Sequence, residues 1–180
     1  LTPSVPIRSP PMAAADAPTA PSDLFSVAGK TVVVTGGTRG IGRMIAGGFV
    51  AGGANVIVSS RTADARAETA ATLSEFGTCT AIPADLSTED GARGLAEAVA
   101  ADHDHVDVLV NNAGATWGVP LAEHDHASWS RVLDLNVEGI FHTTKFFLPL
   151  LQAAGTADDP ARVINIGSID GIHTPILETY

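Results

Sequence analysis

The chain is short of basic residues, cysteine, aromatics and long apolar runs, and each shortage narrows what it can do. Lysine and arginine together number 10 against 20 aspartates and glutamates, a formal net charge of -10. That sign opposes phosphate backbones and anionic lipid surfaces, so nucleic acid and membrane are excluded as expected partners. Cys79 is the only cysteine, which rules out an internal disulfide and fits a reducing, cytoplasmic setting. It stands in TCTAIPA and reads as a small core residue rather than a nucleophile. The most apolar stretch, FFLPLLQAAG, is broken by Pro149 and Gln152 and falls well short of a bilayer span.

What is present begins with a Pro/Ala-rich tail, residues 1–28, without apolar periodicity and with little to bury, for which the composition predicts no fixed structure. It has no apolar centre of the kind a secretory signal needs, and Arg8 is its single basic residue. The remainder, 29–180, reads as one domain. TVVVT (31–35), NVIVSS (55–60), TCTAIPA (78–84), VDVLVN (106–111) and RVINIG (162–167) read as strands, several apolar at consecutive positions as a strand covered on both faces requires. Between them Ile41, Ile45 and Phe49 recur at helical spacing, as do Leu95 and Val99 behind a cap candidate, Ser87. The longest helix is expected over 125–153, capped by Asp125. Strand and helix in alternation predict an α/β fold with a doubly wound parallel sheet.

Such a sheet takes ligands beyond the carboxyl ends of its strands. There the first strand runs into TGGTRGIGR (35–43). Gly36 turns sharply off the strand, Gly40 lets backbone approach a pyrophosphate at the start of the next helix, and Gly42 allows that helix to pack closely. The spacing is TGxxxGxG. With NNAG at 111–114, DLN at 134–136 and INIGS at 164–168, it resembles the short-chain dehydrogenase/reductase family, in the family's order, from about Lys30 to Tyr180.

The resemblance, nearest to the 3-oxoacyl-[acyl-carrier-protein] reductase branch, implies a Rossmann sheet incomplete at its C-terminal side. It also implies an NADP-dependent carbonyl reductase or alcohol dehydrogenase acting on a small-molecule substrate. Thr38, Arg39 and Ile41 then belong with the three glycines to the phosphate turn, Asp85 accepts from the adenine amino group, and Leu86 lies beside the ring. Asn112, Ala113 and Gly114 lie along the cofactor, Asn136 holds a water in the proton relay, and Ser168 donates to the carbonyl oxygen. Each has a plainer reading as well: a loop carboxylate, a turn, a paired amide, a helix cap.

Cofactor choice follows from the end of the second strand, where an acid would bind the ribose hydroxyl of NAD. Here stand Ser59, Ser60 and Arg61, with Arg39 able to approach, and two guanidiniums favour the 2'-phosphate of NADP, although either arginine can be simple surface charge. The clusters DHDH (102–105) and EHDH (123–126) are read as helix-end and strand-end polarity, not metal ligands. Trp117 lines a substrate pocket or covers the core. Phe141, Phe146, Phe147 and Leu150 exceed what one helix face needs, and in relatives the matching helix packs against another subunit, which implies a homo-oligomer at full length. The family's acid is a tyrosine followed three residues later by lysine. Tyr180 lies twelve positions after Ser168, one short of the usual interval, and nothing follows it. It is expected to precede the acid, and the 180-residue chain alone to be inactive, a truncated dinucleotide-binding module being the alternative.

Overall fold

Five strands form one sheet in the order β3-β2-β1-β4-β5, every neighbouring pair parallel. The computed structural model describes residues 25–171, and the elements alternate. They are β1 (Thr31–Thr35), α1 (Gly40–Ala51), β2 (Asn55–Ser60), α2 (Ala63–Ser74), β3 (Cys79–Pro83), α3 (Glu89–Asp102), β4 (Val108–Asn111), α4 (His126–Leu133), α5 (Gly139–Ala154) and β5 (Arg162–Asn165). The chain winds outward from β1 to β3 and then crosses to β4 on the other side of β1, so the reversal point lies between β1 and β4.

The pleat sorts the core into two halves. Val32, Val34, Val56, Val58, Val108 and Val110 meet Ala46 and Val50 of α1 and Leu73 of α2. On the other face Val33, Ile57 and Leu109 meet Ala92, Leu95, Ala96 and Val99 of α3 and Phe147 and Leu151 of α5. β-branched residues at consecutive positions therefore serve both faces, and their restricted rotamers suit the strand. Cys79 is buried in the first half, and burial pushes its thiol up from the ordinary value. β5 departs from this pattern: among the described residues it pairs only with β4, and Val163 and Ile164 are 42% and 40% exposed.

One local reading needs correction and three gain detail. The cap of α3 is Thr88, whose hydroxyl accepts from Gly91 N–H at 3.1 Å, and Ser87 instead donates to Asp85. In α1, Ile45 and Phe49 pack partly buried against the first core half beside fully buried Gly42, Ala46 and Val50, while Ile41 is 63% exposed. The long helix runs unbroken from its expected cap, Asp125, which accepts from Ser128 N–H at 2.8 Å, to Ala154, with a π turn, Asp134–Glu138, inserted between α4 and α5. Finally, Val27 packs against the first core half, and Lys30 N–H donates to its carbonyl, so the folded unit takes in the last residues of the Pro/Ala-rich stretch. Residues 1–24 and Tyr180 lie outside the described residues.

At the amino edge of the sheet Lys30 bridges Asp107 (3.4 Å) and Asp159 (2.7 Å), and Asp159 also pairs with Arg162 at 2.9 Å. Asp107 Oδ2 accepts from Thr31 N–H at 2.8 Å, which ties β1, β4 and the approach to β5 together. His105 belongs here, 3.5 Å from Asp107, on the edge away from the glycine turn. Among the described residues no group of three or more histidine, cysteine or acidic side chains is placed to hold a metal, and no helix is long and apolar enough to cross a membrane.

Candidate functional site

The carboxyl edge opens at the reversal point into a groove of about 780 Å³. One wall is the glycine turn: Gly36, Thr38, Arg39, Gly40, Ile41 and Gly42. The end of β2 supplies Ser59, Ser60 and Arg61, the end of β3 supplies Asp85 and Leu86, and the end of β4 supplies Asn112, Ala113 and Gly114. All thirteen of the cofactor positions expected from the sequence line this one cavity, and Ser59 lines it with them.

The turn is shaped to admit something flat against backbone. Gly36 and Gly40 have φ of 63° and 52°, the left-handed region that side chains resist. A Cβ on Gly40 would meet nothing within 4 Å, whereas one on Gly42 would run into Asn112 Nδ2 and sit 2.5 Å from the Gly36 carbonyl oxygen. The first position therefore faces open groove and the second is pressed against the neighbouring loop. No side chain caps α1, and its first turn holds no acid. Its leading N–H groups and the positive end of its dipole are left for an anion, so the residues fit a diphosphate.

Thr35 and Asn112 hold the groove floor. Thr35 Oγ1 donates to the Val110 carbonyl (3.2 Å) and accepts from the N–H groups of Asn112 and Ala113, both at 3.0 Å. Asn112 Nδ2 donates back to the Thr35 carbonyl at 2.9 Å, so this amide splices β1 to β4 while its backbone lines the cavity. Asn111 does the same on the other side, donating to Asn165 Oδ1 (2.9 Å) and Thr144 Oγ1 (3.1 Å). The roles of Thr35 and Asn111 were not read from the sequence; two adjacent amides at a strand end are the signal that they are bracing something.

At the end of β2 Arg66, at 2.8 and 2.9 Å, donates to the carbonyls of Ser60 and Arg61 and fixes the turn that carries Arg61. Arg61 Nη1 itself lies 3.9 Å from Asp85 Oδ2. The other oxygen, Oδ1, accepts from Ser87 Oγ (2.7 Å) and Ser87 N–H (3.2 Å). Among the described residues Arg39 has no carboxylate within ion-pair reach, so the groove contains one unpaired guanidinium and one loosely paired.

Asn136 is half-buried, not deeply buried as the apolar stretch around it suggests, because it sits on the π turn beside exposed Val137. Its Oδ1 accepts from Ala115 N–H and its Nδ2 donates to the Ala115 carbonyl, both at 2.8 Å. One lone pair and one N–H of the amide remain for a further partner. Leu135, its neighbour, lines the groove, so the π turn reaches both the cavity and the loop after β4. Trp117 in that loop is 42% exposed and lies 4.0 Å beneath the Arg131 guanidinium; it covers no core. Ser168 lies three residues past β5, at the carboxyl edge, and its carbonyl accepts from Gly171 N–H at 3.0 Å. It lies outside the lining of this groove.

Residues 30–180 match the family described as short chain dehydrogenase. A rhamnolipid-biosynthesis 3-oxoacyl-[acyl-carrier-protein] reductase of Pseudomonas aeruginosa is 51% identical over 148 residues, covering 82% of this chain and 58% of the relative. An NADP-dependent (R)-specific alcohol dehydrogenase of Lentilactobacillus kefiri is 31% identical, covering 84% of this chain and 60% of the relative. Among solved structures, the Pseudomonas aeruginosa RhlG/NADP active-site complex is 49% identical with a TM-score of 0.83, covering 87% of this chain and 61% of that one. The chain thus spans about three fifths of the length of these relatives.

Proposed function

Because this chain belongs to the short-chain dehydrogenase family, we propose that it carries the cofactor groove of an NADP-dependent oxidoreductase that interconverts a carbonyl and an alcohol. The proposed substrate class is a 3-oxoacyl thioester, in keeping with the name of the Pseudomonas relative. The observation that carries the cofactor assignment is the charge at the end of β2. Ser59, Ser60 and Arg61 stand where an acid would select NAD, and Arg39 lines the same cavity without a carboxylate partner. The NADP complex of the similar solved structure supports the same reading.

When bound, the cofactor supplies or takes up the hydride through its nicotinamide. The leading N–H groups of α1 and the open backbone at Gly40 would hold the diphosphate, Arg39 and Arg61 the 2'-phosphate, and Asp85 with Leu86 the adenine. The Ser168 hydroxyl donates to the substrate oxygen as negative charge develops there. Asn136 fixes the Ala115 backbone, and so the loop that borders the substrate, and its remaining N–H and lone pair can organise water. Exposed Phe141 (63%) and Leu148 (48%) on α5 support self-association, and a buried free Cys79 suits a cytoplasmic setting.

Titration with NADPH and with NADH, followed by nicotinamide fluorescence, tests the assignment. NADPH is expected to bind more tightly, and Arg61→Asp to reverse the order, since a charge-assisted phosphate contact is worth about 1.5–3 kcal/mol and the variant replaces it with repulsion. Equal affinities in the unaltered protein would defeat the NADP reading.

A further inference from the structure

Arg61 does not wait in the groove unengaged, because its guanidinium is 3.9 Å from Asp85 Oδ2. The two partners are unequally free. Oδ1 of Asp85 is held by the N–H and hydroxyl of Ser87, and the Asp85 main-chain carbonyl accepts from Thr88, so one carboxylate oxygen and the backbone behind it are anchored. The backbone of Arg61 is anchored by Arg66, while its side chain is 69% exposed. Any rearrangement therefore moves the guanidinium and leaves the carboxylate in place.

We propose that Asp85 is a positioning residue for cofactor selectivity: it holds Arg61 on the adenine side of the groove and competes with an incoming 2'-phosphate for that guanidinium. The proposal rests on the NADP reading and adds to it a second charge that opposes the preference. A ligand with a 2'-phosphate must draw Arg61 away from Asp85, and a ligand with a free 2'-hydroxyl need not. Any contact Asp85 makes with the adenine is common to both, so it cancels when the two affinities are compared as a ratio.

The test is calorimetric titration with adenosine 2',5'-bisphosphate and with adenosine 5'-monophosphate, which lack nicotinamide and so report on this end of the groove independently of turnover. Asp85→Asn keeps the acceptor for Ser87 and removes the charge. It is expected to raise the preference for the bisphosphate about two- to fivefold, the range of an exposed ion pair. In an Arg61→Gln background the same substitution is expected to leave the ratio unchanged. Asp85→Ser, also uncharged, must repeat the result, so a folding defect in one variant does not decide the matter. A preference that neither variant moves, or that rises equally without Arg61, would overturn the coupling while leaving the NADP assignment in place. Equal binding of the two probes by the unaltered protein would overturn both.

Discussion

Replacing glycines along the first turn and helix separates three effects that are usually confounded. At Gly42 a methyl group would collide with Asn112 Nδ2 and lie 2.5 Å from the Gly36 carbonyl oxygen. The carbonyl is backbone and cannot swing away. The amide can, but only by giving up its bond to Thr35 at 2.9 Å. Overpacking costs about 1–3 kcal/mol and the broken bond about 1 kcal/mol, against a helix-propensity gain of up to about 1 kcal/mol for Gly→Ala. The net is a loss of about 1–3 kcal/mol, which in a protein of this size lowers the melting temperature by roughly 2–12 °C. At Gly40 there is space but φ is 52°, so Gly40→Ala costs only the left-handed conformation, about 1–2 kcal/mol. At Gly48, inside the same helix with nothing within 4 Å, Ala should stabilise by about 0.5–1 kcal/mol. Calorimetric melting of the three variants beside NADPH titration is the assay. Gly42→Ala should also weaken NADPH binding, because Asn112 and the turn form the groove wall. If Gly42→Ala stabilises the protein as Gly48→Ala does, the helix does not approach the β4 loop as described.

Asn136→Ala removes both bonds to Ala115 and should cost about 1–3 kcal/mol, with faster amide hydrogen exchange at Ala115 and little change in NADPH affinity. Retained protection at Ala115 would show that the loop is held by other contacts. The Lys30 network should be pH-dependent in a defined direction. The Lys30 ammonium, bonded to Asp159, holds that carboxyl below its ordinary range, and the carboxylates hold Lys30 above its own. The depressed carboxyl contributes stability above its unfolded value, near 4, and loses it as pH falls through the folded value; the raised ammonium contributes below about 10.4 and loses it as pH climbs past the folded value. The stability gap between the unaltered protein and Lys30→Met should therefore be widest between about pH 5 and 10 and close at both ends. A gap that is flat from pH 3 to pH 7 would remove the ion pairs as its cause.

Much of this architecture can be read from the chain because β1 and β2 are uninterrupted β-branched runs, and the glycine turn sits where a doubly wound sheet binds ligands. The residues gathered around the groove follow from that placement. What escaped is set by contacts between elements. The partner of Gly42, Asn112 on the loop after β4, depends on where that loop lies in the fold. The shift of the α3 cap from Ser87 to Thr88 depends on Asp85 engaging Ser87 first. The π turn leaves no distinctive compositional mark, because its five residues, DLNVE, include no glycine or proline and only the hydrogen-bond ladder distinguishes it. The bracing by Thr35 and Asn111 required knowing that β1, β4 and β5 are neighbours.

That π turn, Asp134–Glu138, also works as a phase shifter between α4 and α5. One residue of α-helix corresponds to about 100° of rotation. Removing a single residue here, so that the ladder ran on as plain α-helix, would turn everything beyond it by that angle relative to everything before. Either Asn136 would leave Ala115, or Phe147 and Leu151 would leave the core that α5 shares with α3. Side chains at exposed Val137 and Glu138 can be exchanged without touching either contact. The segment therefore tolerates changes of composition and refuses changes of length, so that a single count of residues keeps the loop beside the groove in gear with the packing on the far side of the sheet.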